Sequence, residues 1–350
     1  MQKKLLNTNI LSKERLKTLF IFLIIIIIKN RLNNMKLIQP SFEILDQEPG
    51  LKGIYKAIEY PGRICYGSTD KITEDSAEAF VHKLEKDNHG APMEHGAVYL
   101  HITRNVDMDE WLNPTPEFSA YDELLKFYRN NKYSKVKEIL CDNLKDHLYI
   151  STNYRVLFEN NRLDDLQYLC EPTEYHQRRV TVKFICNIGI SREFNRHRAD
   201  SINEESTRYC NYSKDKYGNE ISVIENNNKF GDRIEELEKK NRAEDIKSYC
   251  LQIFKGNDSE FSDIDYWLFS NMASEYSYIG LTQKCGWIAQ DARDVLSIDT
   301  KSILVHSAFI EDWRHFFNLR AIGTTGAPHP QAKELAMPLM EEFKKRNLID

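Results

Sequence analysis

Several functional classes are excluded by what this chain lacks. Its seven cysteines (Cys65, Cys141, Cys170, Cys186, Cys210, Cys250 and Cys285) are scattered, with no Cys-x-x-Cys pair. That spacing argues against a thiolate zinc site or a disulfide framework and fits reduced cytosolic thiols. The ten histidines form no His-Glu-x-x-His or His-x-His pattern, so no metal motif stands out. No Gly-x-Ser-x-Gly elbow occurs, which removes the usual signature of a serine hydrolase. Basic residues are not in excess: 48 Lys and Arg face 53 Asp and Glu, a net charge of −5. A general nucleic-acid binder is usually basic, so any anion site here has to be local.

Long apolar runs are also missing. Leu19–Ile28 is ten residues long, about half of the roughly 20 that a membrane-spanning helix needs. It has basic flanks, but no small-residue cleavage site follows, so a signal peptide is not indicated. Met35 opens MKLIQPSFEIL, an ordinary cytosolic start. Residues 1–34 are therefore read as a leader or an upstream stretch, and residues 35–350 as the folded domain. No internal repeat is present.

What is there fits a soluble globular protein, with 41% hydrophobic and 29% charged residues. Residues 36–46 read as strand, followed by a turn-rich segment to Gly62. Thr73 is the expected cap of a helix carrying Ala77, Phe80, Val81 and Leu84 at helical spacing. Residues 97–102 read as a strand. In 180–190 (VTVKFICNIGI), apolar residues alternate with Thr181, Lys183 and Asn187, the period of a half-buried strand. Pairing of these two strands would make 105–178 an insertion, with helices expected near 119–131 and 133–147. Residues 214–231 read as a surface loop, and 232–255, 263–284, 287–296, 302–320 and 331–346 as helices.

One stretch asks for an explanation. NRHRADSINEESTRYCNY, residues 195–212, gathers Arg196, His197, Arg198 and Arg208 around Glu204, Glu205 and two serines. Guanidinium groups this close repel unless an anion lies among them. Ser191 can cap a short helix after the strand, on which Arg192 and Arg196 are four residues apart and share a face. The planar fork of arginine matches phosphate oxygens, so the segment makes a plausible anion cradle. In the bland alternative Glu204 and Glu205 neutralise the arginines at a solvated turn. A Ser206 nucleophile with His197 as base lacks an orienting group and an oxyanion hole in the sequence. His95, next to Glu94, reads as a structural histidine.

Arg196-His197-Arg198, seven residues, then Ser206 and Arg208-Tyr209 resembles the signature of the flavin-dependent thymidylate synthases. Four further segments resemble that family in its order: HGAPMEH at 89–95, QDARDVL at 290–296, WRHFFNLR at 313–320 and HPQ at 329–331. The resemblance implies an α/β fold with a central antiparallel or mixed sheet flanked by helices, in a homotetramer with active sites where subunits meet. It implies reductive methylation of dUMP to dTMP, with FAD reduced by NADPH, methylenetetrahydrofolate as carbon donor and no cysteine nucleophile. No membrane or nucleic-acid partner is implied, and the location is expected to be cytoplasmic.

Carried over motif by motif, the resemblance assigns Arg192, Glu193, Arg196, Glu204, Ser206, Arg208, Arg293 and Arg320 to dUMP. It assigns His89, Glu94, Arg196, His197, Arg198, His315, Leu319 and His329 to FAD. Arg320, Ser206 and His89 are the residues it places in catalysis, with Arg320 against the uracil edge. Departures from the family pattern are Ala91 for threonine, Phe309 and Glu311 for asparagine and arginine, and a longer AIGTTGAP segment before His329. The competing readings are a family member that binds flavin and nucleotide without turnover, and a polyanion (RNA)-binding module.

Overall fold

The computed structural model describes residues 35–105, 116–142, 144–242, 256 and 259–350; the expected leader 1–34 and the second half of the helix expected at 232–255 lie outside them. The strands are β1 (Lys36–Ile38), β2 (Ser41–Leu45), β3 (Ala97–Asn105), β4 (Lys135–Asp142), β5 (Lys145–Asn153), β6 (Arg179–Asn187), β7 (Ser201–Glu204), β8 (Ser222–Ile224) and β9 (Lys301–Phe309). With the helices between them they form a mixed α/β fold with several sheets. Two units are distinguished: one takes in residues 39–211, 288–293 and 301–350, the other the described parts of 1–38, 212–287 and 294–300.

The larger unit holds two antiparallel sheets. One has the order β2-β6-β9-β7, the other β3-β5-β4. Val180, Val182 and Phe184 of β6 and Leu304 and Ala308 of β9 face one core with Trp313, Phe316, Phe317, Leu335, Leu339 and Phe343. The helices Ile310–Phe317 and Pro330–Lys345 supply the last six of these. A second core joins Ile54 and Ile58 of the helix Gly50–Cys65 with Phe80, Val81, Val98, Leu100, Leu148, Ile150 and Tyr154. In the smaller unit β1 and β8 pair in parallel, and the helix Asp263–Ile279 starts with a capping box between Ser262 and Asp265.

Several expectations from the sequence are corrected. The segment expected to be turn-rich to Gly62 is the helix Gly50–Cys65; Ile54, Tyr55, Ile58 and Ile64 recur at helical spacing and are buried, which outweighs the Gly and Pro content. Residues 133–147 are not helical but form most of the β4–β5 hairpin. β6 pairs with β2 and β9 rather than with β3, whose partner is β5. Most of 302–320 divides into β9 and the helix Ile310–Phe317, since a fully buried strand is apolar on both faces and its periodicity cannot be told from a helix. Residues 287–296 carry only a short helix, Ala289–Ala292, and a following 3₁₀ turn. The helix expected from Thr73 begins at Ser76, whose hydroxyl accepts the Thr73 N–H (2.9 Å).

Candidate active site

The basic segment leaves β6 through a capped turn. Asn187, not Ser191, caps the helix Ile188–Phe194: its side chain accepts the N–H of Ile190 (2.8 Å). Ser191 lies inside the helix and turns its hydroxyl to Glu204 (2.6 Å). The chain then returns as β7, in register with β9 from Ser201 opposite Ser307 to Glu204 opposite Leu304. Beyond it the Ser206 N–H reaches the Cys65 carbonyl (3.3 Å), and a tight turn carries Arg208 and Tyr209. Strand β6, the helix after it and β7 thus hold the motif at the β7 edge of the four-stranded sheet.

The carboxylates within the motif are engaged away from its arginines. Glu204 accepts from Ser191, from Ser302 (2.7 Å) and from Asn195 (3.2 Å). Glu205 pairs with Lys301 at 2.8 Å. Arg192, Arg196, Arg198 and Arg208 are exposed and have no carboxylate partner among the described residues, and the same is true of Arg293. The solvated-turn reading required Glu204 and Glu205 to neutralise these arginines, and they do not.

Arg320 is held differently. It sits in a π-helical turn, Asn318–Ile322, after the helix Ile310–Phe317. One terminal nitrogen pairs with the Glu193 carboxylate, the other donates to the Glu193 carbonyl (2.6 Å), and Nε donates to His197 Nε2 (3.3 Å). The anion that a half-buried arginine needs is therefore supplied by Glu193. Because Nε2 of His197 accepts, its proton resides on Nδ1 and the ring is neutral. Burial pushes the His197 pKa down to about 4, with the neighbouring His306, Arg320 and His315 adding to the effect and Asp200 opposing it. His315 stacks edge-on to His197, centroids 5.9 Å apart, and Leu319 lies in the same turn as Arg320.

Behind His197 runs a buried polar layer that the sequence did not disclose. His306 Nε2 meets Asp200 at 2.6 Å with both side chains almost fully inaccessible. His95 Nδ1 meets the Ser307 hydroxyl (2.7 Å), which meets Thr181 (2.7 Å). Arg179 donates to Ser201 (2.9 Å) and to the Glu94 carbonyl (3.2 Å). His306 was hidden because β9 reads as a helix; Asp200, inside the motif, was the available signal.

His89 is brought to the same region through Tyr66: the Tyr66 hydroxyl meets His89 Nδ1 at 2.7 Å, and the Tyr66 ring lies 5.6 Å from that of Tyr209. The Glu94 carboxylate is taken by Arg155 at 2.5 Å. His329 caps the helix Pro330–Lys345, accepting the Gln331 N–H (3.3 Å). Neither His329 nor Arg293 has a described contact with the arginines of the motif. Phe309 is buried with the Arg179 guanidinium 5.0 Å from its ring, and Glu311 faces Lys135 at 3.6 Å. Ser206 Oγ accepts only the Arg208 N–H (3.3 Å), with no histidine or carboxylate bonded to it among the described residues. No group of three or more metal-ligating side chains occurs among the described residues, and no helix there is long and apolar enough to cross a membrane.

The sequence model of the thymidylate synthase complementing protein family matches residues 172–347. The chain belongs to this family. A search of curated proteins finds no match. Among solved structures, the UMP/dUMP methylase PolB from Streptomyces cacaoi bound with 5-Br dUMP is similar at 13% identity and a TM-score of 0.35, over 89% of this chain and 93% of that one. The same protein bound with 5-Br UMP is similar at 15% identity and a TM-score of 0.37, over 89% and 92%. Likenesses this distant carry no argument about the site. The family match includes the motif, β9 and Arg320, and begins beyond His89 and Glu94.

His95 and His197, both buried, predict an acid-sensitive fold. His95, displaced mainly by burial, has its pKa lowered to about 3, and His197 to about 4. An unfolded histidine takes up its proton near pH 6.5. Below that pH the unfolded chain binds more protons than the folded one, so stability falls as pH falls, until the folded rings protonate too. Between pH 7 and 5 the expected loss is about 2 kcal/mol for His95, at roughly 1.4 kcal/mol per unit, and less for His197, whose ring is closer to water. Denaturant titrations across this range check it; a His95→Gln variant should flatten the dependence.

Proposed function

We propose that the chain is a flavin-dependent thymidylate synthase, methylating dUMP to dTMP with methylenetetrahydrofolate as carbon donor and FAD reduced by NADPH. The observation that carries this reading is the set of exposed arginines in and next to the motif, Arg192, Arg196, Arg198 and Arg208, that no carboxylate among the described residues neutralises, together with an Arg320 locked in place. Such a donor set fits phosphorylated ligands, and membership of this family supports reading them as dUMP and FAD. Arg192, Arg196, Arg208 and Arg293, with Ser206 and Glu204, would hold the dUMP phosphate and sugar. Arg196, His197, Arg198, His315 and Leu319, with His89, Glu94 and His329, would hold FAD. When bound, FAD supplies the reducing equivalent.

The chain's own contribution is electrostatic. Arg320, against the pyrimidine edge, stabilises negative charge developing on the ring and so makes C5 nucleophilic. Neutral His197 accepts from Arg320 Nε and holds its plane without adding a competing positive charge. Ser206 donates a hydrogen bond; with no base at its hydroxyl among the described residues it is not read as a nucleophile. His89, tied to Tyr66, lines the side where flavin and folate would meet. Burial pushes the thiols of Cys65 and Cys186 up, and the Glu204 charge adds to this, which suits a reaction without a cysteine nucleophile. Active sites completed across a homotetramer would bring further groups to the arginines.

The test is FAD binding together with dUMP-dependent NADPH oxidation coupled to dTMP formation. Flavin and nucleotide binding without turnover would point to a degenerate member. Binding of RNA with a steep salt dependence, and no flavin, would replace the proposal with a polyanion module. Arg208→Ala is expected to weaken dUMP binding about 10-fold or more, from loss of a charge-assisted bond of roughly 1.5–3 kcal/mol, as read by calorimetric titration.

A further inference from the structure

A cavity of about 300 Å³ in the larger unit is lined by none of the residues assigned to dUMP or FAD. Its walls are the end of β2, the start of β6, the start of β3 and residues 169–172. Leu169, Cys170 and Glu171 lie ahead of the region that the family matches, 172–347. The walls are braced against one another. The Gln47 side-chain amide bonds both backbone groups of Ala97 (2.9 Å each). The Cys170 N–H reaches the Tyr99 carbonyl (2.9 Å), and the Tyr99 hydroxyl accepts the Arg179 N–H (2.9 Å). A concave site of this size, formed in advance, is what small-molecule ligands use.

The charges around the cavity do not balance. Arg346 is matched by Asp46 (3.1 Å) and Glu342 (3.0 Å), and Glu48 by Lys56. Arg178 and Arg179 also line the cavity, and neither has a carboxylate partner among the described residues. Arg178 is exposed. Arg179 donates from one terminal nitrogen to the Ser201 hydroxyl and the Glu94 carbonyl, both neutral, while its Nε is buried and bonded to nothing. Burial lowers its pKa, with Tyr99, Glu94, Asp200 and Asp312 opposing. Against the two arginines stands one unpaired acid, the exposed Glu171. A guanidinium drawn out of water without a counter-charge is costly, and an anion in the cavity would offset that cost. Leu45, Ile54, Leu169, Val180 and Leu348 make the remaining wall apolar. We propose that this cavity binds a small organic anion, a carboxylate with a short apolar tail, its head on Arg178 and Arg179 and its tail on Leu45, Leu169 and Leu348.

The probe is hexanoate, titrated calorimetrically into the full chain, with acetate and hexan-1-ol as controls that lack the tail or the charge. Hexanoate should bind with a Kd of about 1 mM or tighter, in the range for a ligand of its size. Each control should bind about 10-fold more weakly or worse, from loss of tail burial or of a bond to a charged group. Arg179→Met should weaken hexanoate about 10-fold or more. Leu348→Trp, which fills the cavity from near the chain end and keeps both arginines, should abolish binding. Arg208→Ala, in the basic motif, should bind hexanoate as wild type does. The proposal fails if hexanoate does not bind, or if either control binds as well. It fails too if Arg179→Met and Leu348→Trp, both shown to be folded by urea titration, bind like wild type. Where Arg179→Met does not fold, Arg178→Ala and Leu348→Trp decide by the same criterion. Loss of hexanoate binding in Arg208→Ala would put the anion on the motif instead and overturn the proposal.

Discussion

Arg320→Ala is expected to lower kcat for dTMP formation by about 10²–10³-fold, the usual consequence of removing a preorganised donor aimed at developing charge, while FAD is retained. The reason lies in how the side chain is held. Its bonds to the Glu193 carboxylate, the Glu193 carbonyl and His197 fix the guanidinium before any ligand arrives. A donor fixed in advance needs no reorganisation when charge develops on the ring, and in a water-poor site its effect is larger than in bulk solvent. Arg320→Lys should recover little, because an ammonium cannot span Glu193 and His197 with a planar fork. Flavin absorbance and the rate of NADPH oxidation with and without dUMP separate loss of chemistry from loss of cofactor. Full turnover by Arg320→Ala would contradict the role given to it; so would loss of flavin as the sole defect.

Asp200→Ala is expected to be the most damaging substitution for stability within the motif, at roughly 3 kcal/mol. Asp200 and His306 meet at 2.6 Å, and their side chains are 2% and 0% exposed. Removing one partner strands the other without water, which costs about 1–3 kcal/mol for a hydrogen bond and 3–5 kcal/mol for a buried ion pair. His306 also packs against Trp313, centroids 4.4 Å apart, and Phe316, so its reorientation would disturb the core behind His197. Asp200→Ala with His306→Phe should recover part of the loss, because two apolar groups need no partner. Urea titration of Asp200→Ala, His306→Phe and the double variant decides the matter; additive losses would show that the pair is not coupled.

Much of the chemistry was legible in the order of residues. The motif at 196–209 and the four companion segments carry side chains whose type and spacing identify the family without a structure. Strand β6 was legible because its alternation puts Val180, Val182, Phe184 and Cys186 on one face, the period of two that a half-buried strand imposes. The strand β9 was not, since both its faces are buried and its composition then has no period of its own. The β4–β5 hairpin was missed because the local pattern around 133–147 did not outweigh the helix reading; the pairing that defines it, Val136 opposite Ile150 and Glu138 opposite Leu148, is not written in either strand alone.

The primary structure by itself determined which family the chain belongs to and where its cations cluster, because those depend on residue identity and close spacing. Only the tertiary structure decided which of those cations are already neutralised. Glu204 and Glu205 lie between Arg198 and Arg208 along the chain, yet they bond to Ser191, Ser302, Asn195 and Lys301. Glu193 is 127 residues from Arg320 and is its partner. Charge pairing falls off with distance through space, and the path of the backbone, set by burial of the apolar faces of β6, β9 and the helices over them, fixes that distance.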